Sequence, residues 1–156
     1  RAPYISTMQL PKKADYDKAD EALEVMGITH LCDRPYTDIS GGERQQATIA
    51  RVIAQEPKII LMDEPTSSLD FGNQLRTVRM IHALAQRGYA VVMTTHNPDH
   101  AIMLDDTVGI LDRDGRMVTG RTKEVLSEQL LSQVYRVDVK IVHVDEVGRD
   151  ACLTKM

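Results

Sequence analysis

Two short unbroken apolar runs, Ile59-Ile60-Leu61-Met62 and residues 90–93, flank a helix-compatible stretch over residues 74–86. Four-residue runs are too short for helices, and the alternation of run, helix and run predicts buried parallel strands joined by a helical crossover. Residues 107–111 read as a third strand. Asp112-Arg113-Asp114-Gly115 then supplies turn chemistry, and residues 116–119 return as a short antiparallel partner. Upstream, Ala19, Ala22, Leu23 and Met26 recur at helical spacing within residues 16–26, and Gly27 follows as a stop signal. The opening Ala2-Pro3-Tyr4 is irregular, and residues 31–39, broken by Asp33, Pro35 and Asp38, predict a loop. Residues 123–134 predict one or two helices, after which Val137, Val139, Ile141 and His143 alternate as a last strand.

The best-specified boundary is the start of a second helix at Ser40-Gly41-Gly42-Glu43. This segment fits the Ser-x-x-Glu capping box and precedes an apolar stripe of Ile49, Ala50, Ile53 and Ala54. Two glycines let an anion approach the backbone, and a helix N-terminus presents unpaired N–H groups at its positive dipole end. Taken alone, Ser-Gly-Gly reads first as a loosened cap with no ligand.

The run at residues 59–62 delivers Asp63 and Glu64 to its carboxyl end, where Pro65 stops the strand. Ligands bind at that edge in open parallel sheets. Two adjacent carboxylates there can divide labour, one toward a magnesium ion or its water and one toward an attacking water. In isolation, Asp-Glu after an apolar run also describes a solvated turn. The second run ends in Thr94-Thr95-His96, and a histidine there can contact a terminal phosphate or serve a structural role. His96 and His100 have the i,i+4 spacing of a metal pair, but Pro98 favours a helix start that leaves His96 before the helix. The methionines at 62, 80, 93 and 103 fit apolar core patterns, and Asp15, Asp17 and Asp20 a solvated helix face.

Together these residues resemble the ABC-type ATPases. Ile39-Ser40-Gly41-Gly42-Glu43-Arg44-Gln45 is similar to the signature motif, and residues 59–65 to Walker B with its catalytic glutamate. Ser67-Ser68-Leu69-Asp70 resembles the D-loop, and His96 the switch histidine. Four motifs in the right order make coincidence an inadequate explanation. Residues 1–4, 69–74 and 134–137 are further similar to segments of ATPase subunits from iron-chelate (siderophore), haem and cobalamin importers.

The resemblance implies an α/β fold: part of a RecA-like P-loop NTPase core of ABC type with a helical subdomain. It would comprise a helical subdomain segment at 1–39, the later part of the ATPase core at 40–135, and a C-terminal strand and tail at 136–156. It further implies ATP and Mg2+ as cofactors. Asp63 would hold magnesium through water, Glu64 would polarise the attacking water and His96 would contact the γ-phosphate. Ser40, Gly41, Gly42 and Glu43 would face nucleotide bound by a second ATPase subunit arranged head to tail, and Asp70 would help join the two sites. Permease subunits and an extracytoplasmic substrate-binding protein would be the other partners, at the cytoplasmic side of the cell membrane.

Three features of the family are not in this chain. The Gly-x-x-x-x-Gly-Lys-Ser/Thr phosphate loop, whose amides and lysine cradle phosphates, does not occur, nor do the base-stacking aromatic and Gln loop expected beside it. Residues 115–122 mimic it with Arg121 in the lysine position, but they fall in the hairpin after the chemistry rather than between a first strand and helix. With Arg1 in place of Met, the chain reads as a fragment that is inactive alone. In the resembled fold, the strand before the phosphate loop separates residues 90–94 from 107–111, so no direct ladder between these is expected.

Composition narrows the alternatives. A chain of 156 residues, 42% hydrophobic and 27% charged, suits one packed domain or a large piece of one. A net charge of −4 without a basic stripe argues against nucleic acid as a partner. The longest apolar runs, about five residues, fall far short of the roughly 18 needed to span a bilayer. Cys32 and Cys152 form no Cys-x-x-Cys pair, so neither a disulfide framework nor a zinc site is indicated. Two rival readings remain: a soluble ABC ATPase of translation or DNA repair, and a non-hydrolysing interaction module.

Overall fold

The computed structural model describes residues 4–6 and 8–154, so Arg1, Ala2 and Pro3 of the opening segment lie outside the described residues. The chain divides into two compact units, one up to Thr94 and one from Thr95 onward.

The first unit opens with α1, Lys13–Val25. It begins three residues before the apolar periodicity does, because the Asp15 carboxylate accepts the Lys12 N–H at 2.9 Å and anchors a polar first turn. It ends at Gly27, whose φ of +68° suits the left-handed stop. There Gly27 N–H donates to the Glu24 carbonyl and Ile28 N–H to the Leu23 carbonyl, the paired bonds of a Schellman motif. A short 3-10 turn at Thr29–Leu31 leads into residues 31–39, expected as a loop, which hold a second at Tyr36–Asp38. Helix α2, Gly41–Ile53, starts where the capping box requires.

Strands β1 (Ile59–Met62) and β2 (Ala90–Met93) pair in parallel, Ile59 opposite Ala90 and Met62 opposite Met93, with α3 (Phe71–Gln86) as the crossover. Helix α3 buries Thr77, Val78, Ile81 and Leu84, a stripe at helical spacing. Ala22, Met26 and Ile28 of the α1 region, Ile49 and Ile53 of α2, Ile60 of β1 and Leu84 of α3 form one core. Because strand side chains alternate, Ile60 is 2% exposed while its neighbour Leu61 is 76% exposed. The runs predicted strands buried on both faces; within the described residues only one face is covered.

The second unit contains α4 (Pro98–Leu104), the hairpin β3 (Thr107–Leu111) and β4 (Met117–Arg121), α5 (Thr122–Val125), α6 (Glu128–Tyr135) and a hairpin of β5 (Val139–Val144) and β6 (Arg149–Thr154). The β3–β4 turn forms as expected: Asp112 accepts the N–H groups of Asp114 and Arg116, and Gly115 adopts φ +79°. Residues 115–122 therefore lie at and along β4 rather than between a strand and a phosphate-binding helix. Strand β6 was not expected. Leu126, Leu131 and Val139 centre this unit's core, packed by Ile102, Val108 and Cys152 among others. Among the described residues β2 ladders with β1 alone and β3 with β4 alone.

Leu84, 2% exposed at the centre of the first core, is the sharpest probe of this packing. Leu84→Ala should lower unfolding free energy by about 2–5 kcal/mol, read from the denaturant midpoint of the first unit's transition. A loss below about 1 kcal/mol would show that the core is not organised around α3.

Candidate functional site at the strand ends and the capped glycine helix

Asp63 and Glu64 leave the carboxyl end of β1, and both are exposed. The parallel ladder carries one step past the strands, Thr94 N–H donating to the Met62 carbonyl at 2.9 Å. That bond sets the Thr94 hydroxyl between the two acids. It accepts the Glu64 N–H at 2.9 Å and donates its own proton to Asp63 Oδ1. A hydroxyl can do both at once, so one side chain fixes both the backbone of Glu64 and the carboxylate of Asp63.

Glu64 adopts φ +41°, a conformation that L residues other than Asn and Asp seldom take. The turn that imposes it is braced: Ser67 N–H and Oγ–H both donate to the Glu64 carbonyl at 3.1 Å, and Gln45 Nε2 of α2 donates to the Pro65 carbonyl at 3.2 Å. Gln45 thereby ties the glycine helix to the acidic turn. Neither Thr94 nor Gln45 was singled out from the sequence as a site residue. The Thr-Thr-His order was a signal for the former, but its role required the register of β1 against β2.

At the N-terminus of α2, Ser40 Oγ accepts the Glu43 N–H at 3.3 Å and Glu43 Oε2 accepts the Ser40 N–H at 2.7 Å. These Ser40 bonds hold the Glu43 carboxyl below its ordinary range. Gly41 and Gly42 occupy the first turn, and space around Gly41 is open, with nothing within 4 Å of a Cβ placed there. Asp70 caps α3, accepting the Asn73 N–H at 2.9 Å. Bonds from the Asn73 backbone, then its side chain, depress the Asp70 carboxyl below its ordinary 3.8.

His96 is exposed in the second unit. Tyr135 Oη donates to its carbonyl at 2.9 Å, so the end of α6 holds this loop, a link with no motif in the sequence. Asn97 caps α4 with Pro98 at its first position, which places His96 before the helix as expected. His100 is 3% exposed, with Nδ1 3.1 Å from Thr95 Oγ1 and Nε2 3.3 Å from Asn97 Nδ2. Asn97 Oδ1 already accepts the Asp99 N–H, so its Nδ2 serves as the donor to Nε2. Burial lowers the His100 pKa, consistent with this neutral ring. Both ring nitrogens thus face internal partners.

For magnesium, the test is donor chemistry. A hard cation that keeps several waters and binds through substrate phosphates needs one or two carboxylates, and exposed Asp63, with one oxygen engaged by Thr94, meets it. Among the described residues no group of three His, Cys, Asp or Glu side chains could hold a metal by itself.

A strand–helix–strand unit with acids at its carboxyl edge, alongside a glycine helix capped by serine, defines an α/β fold, part of a P-loop NTPase core of ABC type. Comparison with known proteins agrees. The family model described as ABC transporter matches residues 4–67. A molybdate import ATP-binding protein, MolC of Haemophilus influenzae, is 38% identical over 88% of the chain and 54% of its own length. A hemin import ATP-binding protein, HmuV of Rhodococcus jostii, is 36% identical over 99% of the chain and 52% of its own length. Among solved structures, an ABC transporter described as of metal-chelate type, in an inward-facing conformation, superposes with a TM-score of 0.91 at 33% identity. That match covers 100% of this chain and 64% of the other. The chain belongs to the ABC transporter ATP-binding family. It spans about half the length of the curated relatives it matches.

Thr94→Val keeps the shape of the bridge and deletes its bonds. The Glu64 amide should then exchange with solvent about three- to tenfold faster, as expected for loss of a hydrogen bond worth about 0.5–1.5 kcal/mol, with the melting temperature lowered by only a few degrees. Unchanged exchange at Glu64, measured by NMR, would show that the hydroxyl does not hold this turn.

Proposed function

We propose that the complete protein is the ATP-binding and ATP-hydrolysing subunit of an ABC importer, powering uptake of an iron chelate, haem or cobalamin. The observation that carries the chemistry is the pair of exposed acids at the end of β1, where the Thr94 hydroxyl fixes the Asp63 carboxylate and the Glu64 backbone together. With ATP and Mg2+ bound, Asp63 would hold the ion through a water. Glu64 would orient and polarise the attacking water as general base. His96 would contact the γ-phosphate. Magnesium's contribution when bound is neutralisation of developing phosphate charge.

Ser40, Gly41, Gly42 and Glu43 would face the nucleotide held by a second ATPase subunit, the open space at Gly41 leaving room for an anion at the helix N-terminus. Asp70 would help join the two sites. By role, residues 1–39 would form part of the helical subdomain that docks on the permease, 40–135 the later part of the ATPase core, and 136–156 a C-terminal strand and tail. Permease subunits and an extracytoplasmic substrate-binding protein complete the assembly, and nucleic acid is not a partner. No helix among the described residues is long and apolar enough to cross a membrane. In this reading the subunit attaches to the permease at the cytoplasmic side of the cell membrane.

The hemin import relative and the metal-chelate type structure support the substrate class. The molybdate import relative supports a second substrate reading, an oxyanion, with the same ATPase chemistry.

The test uses this chain beside its complete subunit. The chain alone should release no phosphate above background, since electrostatic positioning by the phosphate loop supplies most of the catalysis. In the complete subunit, Glu64→Gln should retain ATP binding and cut hydrolysis by at least about a hundredfold, the scale of general-base loss. Turnover within a few-fold of wild type would remove Glu64 from the role of base. Absence of hydrolysis in the wild-type complete subunit with its permease would favour the non-hydrolysing interaction module.

A further inference from the structure

Asn73, in the first turn of α3, sits where three of the described features meet. Its Nδ2 donates to Asp70 Oδ2 at 2.7 Å while its backbone N–H donates to Asp70 Oδ1 at 2.9 Å, so one residue engages both carboxylate oxygens. Its Oδ1 accepts from Arg76 Nη1 at 2.6 Å. The amide orientation follows from the partners: an ionised carboxylate only accepts and a guanidinium only donates. The chain Arg76, Asn73, Asp70 therefore has one polarity, and charge at both ends strengthens its bonds.

The same amide abuts the glycine helix. A Cβ placed on Gly42 would lie 3.0 Å from Asn73 Oδ1 and 3.3 Å from its Cγ, tighter than ordinary van der Waals contact. Glycine at 42 is thus what lets Asn73 stand upright against α2 while bonded to Asp70. Ser40, Gly42, Asn73, Arg76 and Thr77 line a cleft along this junction. The Asn73 backbone first, and its side chain next, hold the Asp70 carboxyl below its ordinary range.

We propose that Asn73 is a positioning residue for ATP hydrolysis: its side-chain amide, packed against Gly42 of α2, fixes the Asp70 carboxylate in one orientation, so that Asp70 and Gly42 reach a second copy of the subunit as one rigid edge. The inference rests on the reading above, in which both residues face the nucleotide site shared with that copy. Without the amide, Asp70 keeps its backbone cap but gains rotameric freedom. The edge then arrives with its two halves uncoupled, and positioning losses of this kind appear in turnover rather than in nucleotide affinity.

The variant is Asn73→Leu, similar in shape and unable to make either bond. In this chain without nucleotide, NMR titration of the Asp70 carboxyl should show a midpoint moved up toward 3.8 relative to wild type. In the complete subunit assembled with its permease, kcat should fall about tenfold while KM for ATP stays within about twofold. Asn73→Asp, which keeps the acceptor for Arg76 but places a carboxylate against Asp70, should lower kcat in the same direction and guards against misfolding of the leucine variant. An unmoved Asp70 midpoint overturns the lock. A KM that rises together with a fall in melting temperature, in both variants, overturns positioning in favour of a general structural role. A wild-type complete subunit without ATPase activity sinks the functional reading, whereas the Asp70 titration judges the lock independently.

Discussion

The register of β1 against β2 is the constraint on which the candidate site depends. Four paired residues fix the strands, and one further bond, Thr94 N–H to the Met62 carbonyl, carries the alignment beyond them. Slipping one residue would turn Thr94 away from the acids and Ile60 out of the core simultaneously, because side chains alternate faces with a period of two. Hydrophobic burial of Ile60 and the polar contacts of Thr94 therefore enforce the same alignment. The core needs no knowledge of the chemistry to place the hydroxyl correctly.

Around that alignment the first unit couples its motifs through side chains that carry no motif themselves. Gln45 bonds α2 to the acidic turn, Thr94 bonds β2 to it, and Asn73 bonds Asp70 while packing against Gly42 of α2. Each bond is modest when solvent can compete for the same groups. Their effect is geometric: three segments distant in sequence are held at defined separations around one edge. The second unit repeats the device on a smaller scale, with Tyr135 holding the carbonyl of His96.

What was legible in the sequence was what depends on local chemistry. Ser40 and Glu43 specify a helix start by themselves, and the apolar runs at 59–62 and 90–93 specify strands whose parallel pairing follows from the helix between them. The fold class and family were likewise legible, because the motif residues recur in a fixed order. Strand β6 escaped because Arg149, Asp150 and Ala151 offer no apolar alternation. Its partner β5, the turn at Gly148 and the bond from Cys152 N–H to Asp99 create it. The start of α1 was missed for the opposite reason: a polar first turn is held by a single cap, with no hydrophobic stripe to mark it. Open faces on β1 and β2 could not be anticipated either, since the runs show only that both faces are apolar and say nothing of what covers them.

The left-handed backbone at Glu64 carries a folding cost. Glycine would occupy that φ without strain, and asparagine with less, so glutamate at this position costs on the order of 1 kcal/mol of folding free energy. A lineage drifting under selection for stability alone would lose the glutamate early, since that substitution both relieves the turn and leaves the hydrophobic core untouched. If Glu64 serves as the base proposed above, glycine or asparagine at this position in a related sequence would mark a copy that keeps the fold without that chemistry.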